Sequence, residues 1–185
     1  MLFRSKGKYF VVSIHREENV DAKESLEKLM DALNAVAETY KMPIVMSVHP
    51  RTKNRLEEYK LKTHELINFR KPFGYFDYSN LQLNAFCVLS DSGTIQEESS
   101  IMGFPAVQLR TSSERPEAFD EGVLILSGLD KDIILQAVEI TVKQVAAGEK
   151  FNIPENYCDI NVSSKVLRLM VGFAKIIQKK RGFKR

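Results

Sequence analysis

The feature that most constrains this chain is an alternation, sustained from end to end, of short continuous apolar runs with longer segments of helical period. The run "YFVVSI" at 9–14 is apolar on both faces up to Ser13. A strand with one face in water alternates polar and apolar residues, whereas an unbroken β-branched and aromatic run suits a parallel strand covered on both sides. The next segment, 21–40, places Leu26, Leu29, Met30, Leu33, Val36, Ala37 and Tyr40 at helical intervals, and Asp21 with Glu24 spells a capping box at its start. The pairing then recurs. "PIVMSV" (43–48) precedes a polar helix around "TKNRLEEY", "LINFR" precedes a short helix at "DYSNLQLNA", and "FCVLS" (86–90) precedes a helix at 94–102. "PAVQL" (105–109) and "VLILS" (123–127) follow, the latter leading into a helix at 130–147. After the loop "NIPENYCD" an amphipathic helix is expected from Ser163 to Lys179, with Val166, Leu169, Met170, Phe173 and Ile177 along one side.

Repeated β-α units joined by short turns predict one α/β domain over residues 1–185, a six-stranded parallel sheet with helices on both faces and right-handed crossovers. With 185 residues, 44% of them hydrophobic, the chain can bury a full core. The net charge is +3, and basic residues are interspersed with acidic ones except in the closing "KKRGFKR", read as a solvated tail. Neither a nucleic-acid partner nor a membrane partner is expected. No apolar run approaches the roughly 18 residues needed to span a bilayer, and no signal peptide opens the sequence. The two cysteines, Cys87 in an apolar strand and Cys158 in a polar loop, form no CxxC and no Cys/His pair. That usage suits a reducing cytoplasm and gives no zinc site.

Ligands of such sheets bind beyond the carboxyl ends of the strands, at the point where strand order reverses. Chemistry is therefore sought just after each strand. "HREEN" (15–19) follows the first, where His15 and Arg16 are placed to donate to phosphate oxygens or to move a proton, or else simply to precede the next helix. "SVHPRT" follows the second, with His49 held extended by Pro50; it reads as a strand terminator with surface charges. "KPFGYFDYSN" follows the third, a packed aromatic turn or a face for a planar base. The fourth is followed by "DSGT", in which Ser92 and Gly93 precede a helix that Thr94 and Glu97 spell as capped. Exposed N–H groups, the positive end of the helix dipole and a glycine make an anion site there, although every capped β-α turn offers part of this. Helical spacing puts Glu98 on the stripe of Ile95 and Met102, facing the sheet, and turns Glu97 about 100° away toward the cap. An inward carboxylate needs donors, and the two hydroxyls of a ribose would supply them. After the fifth strand, the loop "RTSSERPEAFDEG" holds Arg110, Glu114, Arg115 and Glu117, with Pro116 as the first residue of a short helix. The GxGxxG and GxxxxGK[ST] signatures are absent, which removes most support for a dinucleotide or P-loop site.

Taken together, "HREEN" after the first strand, "DSGTIQEE" after the fourth, and "GFPAV" with "SERPEA" around the fifth resemble the non-hydrolysing UDP-N-acetylglucosamine 2-epimerase family, in order and spacing across nearly the whole chain. Within it, "HREENVD" and "SDSGTIQEESS" are most similar to bacterial UDP-N-acetyl-L-fucosamine synthases of capsule and O-antigen biosynthesis. The resemblance implies the nucleotide-gripping, Rossmann-like C-terminal half of a GT-B-type fold, with an N-terminal domain of the full-length enzyme missing from this chain and a homodimer when full length. It implies that Ser92 and Gly93 bind the diphosphate, Glu98 the ribose and Tyr78 the uracil. By the same resemblance His15, Glu114 and Arg115 are catalytic, the last two on a loop near the sugar phosphate and the interdomain cleft. Thr94 stands where many relatives carry a second glycine, and "HREEN" where many read "HRREN". The implied reaction inverts C2 of a UDP-amino sugar by elimination of UDP and re-addition, with no metal and no nicotinamide cofactor. The chain alone is expected to be inactive, because the key acid/base carboxylates of the family lie in the other domain. Two other readings stand beside it: a nucleotide-sugar glycosyltransferase half-domain, and a non-catalytic nucleotide-binding module.

Overall fold

The computed structural model describes residues 6–180. The first five residues, and the final five that complete the basic tail, lie outside the described residues. Those described divide into two compact units, one running through Pro154 and the other beginning at Glu155.

The first unit is a parallel sheet of six strands in the order β3-β2-β1-β4-β5-β6. The strands are β1 (Phe10–Ser13), β2 (Ile44–Ser47), β3 (Ile67–Arg70), β4 (Cys87–Ser90), β5 (Ala106–Gln108) and β6 (Ile125–Leu126). Each expected run is a strand, trimmed by a residue or two at its ends. The central strands are continuous apolar runs because both their faces are covered: Phe10, Val11 and Val12 of β1 and Cys87, Val88 and Leu89 of β4 are all buried. The helices are α1 (Glu17–Val20), α2 (Lys23–Tyr40), α3 (Pro50–Glu58), α4 (Tyr75–Leu83), α5 (Ile95–Met102), α6 (Glu117–Asp120) and α7 (Lys131–Ala146). Helix α2 buries Leu26, Leu29, Met30, Ala32, Leu33, Val36 and Ala37, the stripe its spacing predicts.

The starts of α2 and α6 depart from their local spelling. The first residue of α2 is Lys23, capped by Ala22 with no side-chain bond. Asp21 instead takes the guanidinium groups of Arg51 and Arg55 from α3. Pro116 is the N-cap of α6 and not its first helical residue.

Strand order reverses between β1 and β4, which pair in parallel with Ser13 opposite Ser90. Ser13 also stands opposite Ser47, and Ser90 opposite Gln108. The carboxyl end of the sheet is thus a polar row, Ser47–Ser13–Ser90–Gln108, above an apolar interior. The second unit holds a 3-10 turn (Glu155–Tyr157) and α8 (Val162–Lys180), which has no buried residue. Among the described residues no helix is long and apolar enough to cross a membrane, and no group of three His, Cys, Asp or Glu could hold a metal ion.

Candidate functional site

The loops after β1, β4 and β5 converge over the polar row. At their centre is Asp91, fully buried, the residue that follows β4. Its amide donates to the Ser13 carbonyl at 3.2 Å. Its carboxylate accepts from the amides of His15 (3.1 Å) and Arg16 (2.9 Å) and from Asn19 Nδ2 (3.1 Å). The imidazole of His15 closes on the same carboxylate, Nδ1 to Oδ1 at 3.2 Å, with about half of the ring exposed. Asp91 therefore ties the loop after β1 to the turn after β4. His15 also lines a cleft of about 470 Å³ with Ser13, Ser47, His49, Arg51, Thr52 and Pro72.

The turn itself is fixed from two sides. The Ser92 amide donates to Ser90 Oγ at 3.1 Å, and its carbonyl accepts from Gln108 Nε2 at 3.0 Å. Gln96 extends this network from Gln108 to Ser113 Oγ, at 3.1 and 2.7 Å. Gly93 needs no unusual backbone conformation; a Cβ there would meet only Arg16 Nη2, at 3.6 Å. The glycine leaves open the space between the turn and the Arg16 guanidinium. That gap combines a cationic side chain with the first N–H groups of α5, a setting suited to an anion.

The expected cap at Thr94–Glu97 does not form. Thr94 is the N-cap, but its side chain accepts no capping bond from the helix backbone. Its hydroxyl joins Ser92 Oγ at 2.9 Å and donates to Glu98 Oε1 at 2.8 Å. The face that α5 buries is Ile95, Gln96, Ser99 and Ser100. At 100° per residue both glutamates lie about 130° from the middle of that face, on opposite sides. Glu98 is thus not on the inward stripe. It stands beside the turn, and its Oε2 accepts from buried Gln82 Nε2 of α4 at 2.7 Å. Glu97 is on the other flank, ion-paired with Arg115.

Tyr78 of α4 approaches from the β3 side. Burial pushes its hydroxyl up to about 12, a hydrogen bond with Ser13 opposes the rise, and the Glu98 and Asp91 carboxylates add to it. The hydroxyl stays protonated and available as a donor. Tyr75 and Phe76 of the same turn are exposed and meet edge to face at 5.6 Å.

Arg110, buried at the end of β5, grips the Glu114 carboxylate with both terminal nitrogens, at 3.2 and 2.9 Å. That bond holds Glu114 below the usual carboxylate range, and Arg16 adds a smaller electrostatic pull. The structure therefore gathers His15, Ser92, Gly93, Glu98 and Tyr78 at one end of the sheet, with Glu114 beside them. Arg115 is turned to the outer flank of α5. His64, given no role from its position in the chain, bonds Glu38 and the Asn34 side chain. Sequence pattern alone does not single out Asp91, Gln82 or Asn19. The only signal for Asp91 is an acid directly after an apolar strand, at the predicted strand-order reversal.

Residues 2–171 match the family model for UDP-N-acetylglucosamine 2-epimerase. A UDP-N-acetylglucosamine 2-epimerase of Methanocaldococcus jannaschii is 41% identical over 140 residues, covering 74% of this chain and 38% of that protein. A UDP-2,3-diacetamido-2,3-dideoxy-D-glucuronate 2-epimerase of Pseudomonas aeruginosa is 30% identical over 138 residues, covering 75% of this chain and 38% of that protein. Among solved structures, the M. jannaschii enzyme in complex with UDP-GlcNAc and UDP superposes with a TM-score of 0.77 at 36% identity, over 88% of this chain and 45% of that one. The Rickettsia bellii UDP-N-acetylglucosamine 2-epimerase gives 0.78 at 35% identity, over 97% and 48%. The chain spans less than half the length of these relatives.

Proposed function

We propose, since the chain belongs to the UDP-N-acetylglucosamine 2-epimerase family, that it is the UDP-binding half of a UDP-N-acetylamino-sugar 2-epimerase with a GT-B-type fold. The observation that carries this reading is the strand-end site itself. The Ser92–Gly93 turn, the Arg16 guanidinium and the start of α5 face one open gap, and Glu98 stands one helical turn away. In this reading the gap takes the diphosphate. Glu98 exchanges its bonds with Gln82 and Thr94 for bonds to the ribose hydroxyls, and Tyr78 with the exposed aromatic turn flanks the base.

The reaction is elimination of UDP followed by re-addition, with inversion at C2. Departure of UDP places negative charge on the β-phosphate, and fixed N–H and cationic donors stabilise that charge without reorganising. His15 and Arg16 are the side chains assigned to it. Glu114, ionised against Arg110, fixes the loop after β5, and Arg115 would reach the sugar only by leaving its ion pair with Glu97. Removal and return of the C2 proton require acid/base groups, and we assign these to the further length that the relatives possess. We assign the product to UDP-N-acetyl-L-fucosamine or UDP-N-acetylmannosamine on the motif resemblance, and the assembled enzyme to a homodimer. The chain alone then binds UDP and does not turn over.

The test is a chimera carrying this chain in place of the matching half of the M. jannaschii enzyme, incubated with UDP-GlcNAc in D2O and followed by proton NMR. A C2 epimer with deuterium at C2 is expected. A chimera that binds UDP yet exchanges no C2 proton in any of the candidate sugars would contradict the epimerase assignment.

A further inference from the structure

The three histidines differ in the partners of Nδ1. In His49, Nδ1 accepts from the Arg51 amide at 3.4 Å. In His64, Nδ1 accepts from the Leu66 amide at 3.1 Å, while Nε2 faces a carboxylate oxygen of Glu38 at 3.2 Å. A nitrogen that accepts carries no proton, so both neutral rings are protonated on Nε2. In His15, Nδ1 lies 3.2 Å from Asp91 Oδ1 as an ion-pair contact, without the alignment of a hydrogen bond. A carboxylate oxygen that close repels a lone pair and attracts an N–H, which favours the neutral ring protonated on Nδ1 with its lone pair on Nε2.

We propose that Asp91 is a positioning residue for His15: it keeps the proton on Nδ1 and so leaves Nε2 as the atom that meets the diphosphate of a bound nucleotide and gives or takes a proton there. What Nε2 meets rests on the nucleotide reading above; where the proton sits does not. The division of labour within the carboxylate carries the argument. Oδ2 is occupied by the amides of His15 and Arg16 and by Asn19 Nδ2, at 3.1, 2.9 and 3.1 Å. Oδ1 is left for Nδ1 together with the His15 amide. Asp91 is buried among these donors, and the ring is oriented by the same group that fixes the loop it stands on. When Nε2 gains a proton, the imidazolium charge is balanced by Asp91 behind it, and an N–H donor faces the anion.

Asp91→Asn is nearly isosteric and separates the two duties. The carbonyl oxygen of the introduced amide takes the Oδ2 position, where three donors converge, which places its NH₂ opposite His15 Nδ1. That nitrogen must then accept, and the ring moves its proton to Nε2. Long-range proton–nitrogen correlation on ¹⁵N-histidine protein reads this directly, at a pH well above the ordinary histidine value of about 6.5. One ring protonated on Nδ1 and two on Nε2 are expected, the first disappearing in His15→Gln. In Asp91→Asn all three are protonated on Nε2. A wild-type His15 ring protonated on Nε2 overturns the proposal, and so does an unchanged ring in a folded Asp91→Asn. If that variant does not fold, the wild-type spectrum decides alone. Titrations followed by NMR supply the second reading. Asp91→Asn weakens UDP by about tenfold or more, the value of a charge-assisted bond, and leaves uridine unchanged. Equal losses for both make Asp91 merely structural and overturn the positioning role. Should the wild-type chain bind neither ligand, the nucleotide reading fails and with it the target of Nε2, while the spectrum still decides where Asp91 puts the proton.

Discussion

Glu98 is held within the chain by Gln82 at 2.7 Å and Thr94 at 2.8 Å, so a ribose bound as proposed would have to displace bonds that already exist. The exchange is favourable only if two hydroxyls arrive together in better geometry. Glu98→Ala is then expected to weaken UDP by about tenfold or more, in line with the roughly 1.5–3 kcal/mol of a hydrogen bond to a charged group. Glu97→Ala, which removes only an ion pair with Arg115 on the outer flank, is expected to weaken it less. Calorimetric titrations with equal or reversed losses would contradict the assignment. Gly93→Ala separates binding from folding. The added methyl makes ordinary contact with Arg16 at 3.6 Å, so stability should change by about 0.5 kcal/mol or less. The same methyl narrows the gap assigned to the diphosphate, and UDP affinity should fall; unchanged affinity would place the phosphates elsewhere. Ser92, Gly93 and Glu98 could be proposed from sequence because they share one short motif with a local chemical meaning. Asp91 was not, because its partners His15 and Arg16 are 76 and 75 residues away and meet it only through the β1–β4 pairing.

Helix α2 shows how an element is read from period and misread at its ends. Its buried stripe follows from spacing alone, and Leu33, at 1% exposure, is central to it. Leu33→Ala should cost about 2–5 kcal/mol by denaturant unfolding, the range for a leucine cavity in a packed core. A loss below about 1 kcal/mol would mean that α2 is not seated on the sheet in this register. The start of α2 was misread because a capping box is a local spelling, whereas Asp21 is claimed by arginines that follow β2, 30 and 34 residues on. The glutamates of α5 were misread for a related reason. A stripe drawn through Ile95 and Met102 omits Ser99 and Ser100, small polar residues that are buried because their neighbours pack over them. Polarity in sequence understated burial in the fold.

At the scale of the molecule, six parallel strands were legible from unbroken apolar runs, but their order was not, since pattern alone does not say on which side of β1 a strand joins. The order places the reversal between β1 and β4, and that decides which loops share a site. Two groups report on the integrity of this packing. Burial pushes the Cys87 thiol from 9.0 to about 12, and the Tyr78 hydroxyl from 10.0 to about 12. Both keep their protons in the fold above the pH at which an unfolded chain releases them. The unfolded state then binds fewer protons, so stability should fall as pH rises from about 9 toward 12, and Cys87→Ala should flatten part of that slope in urea unfolding. A thiol reagent should modify exposed Cys158 in the native protein and buried Cys87 only after unfolding.

The proposed site for a nucleoside diphosphate lies where the loops after β1, β4 and β5 converge. Backbone amide NMR during a UDP titration tests it most directly. The amides of Ser92, Gly93, Thr94, His15 and Arg16 are expected to shift first and furthest. Shifts confined to the groove at the other end of α5, where Ile101, Phe104 and Phe151 meet, would contradict it.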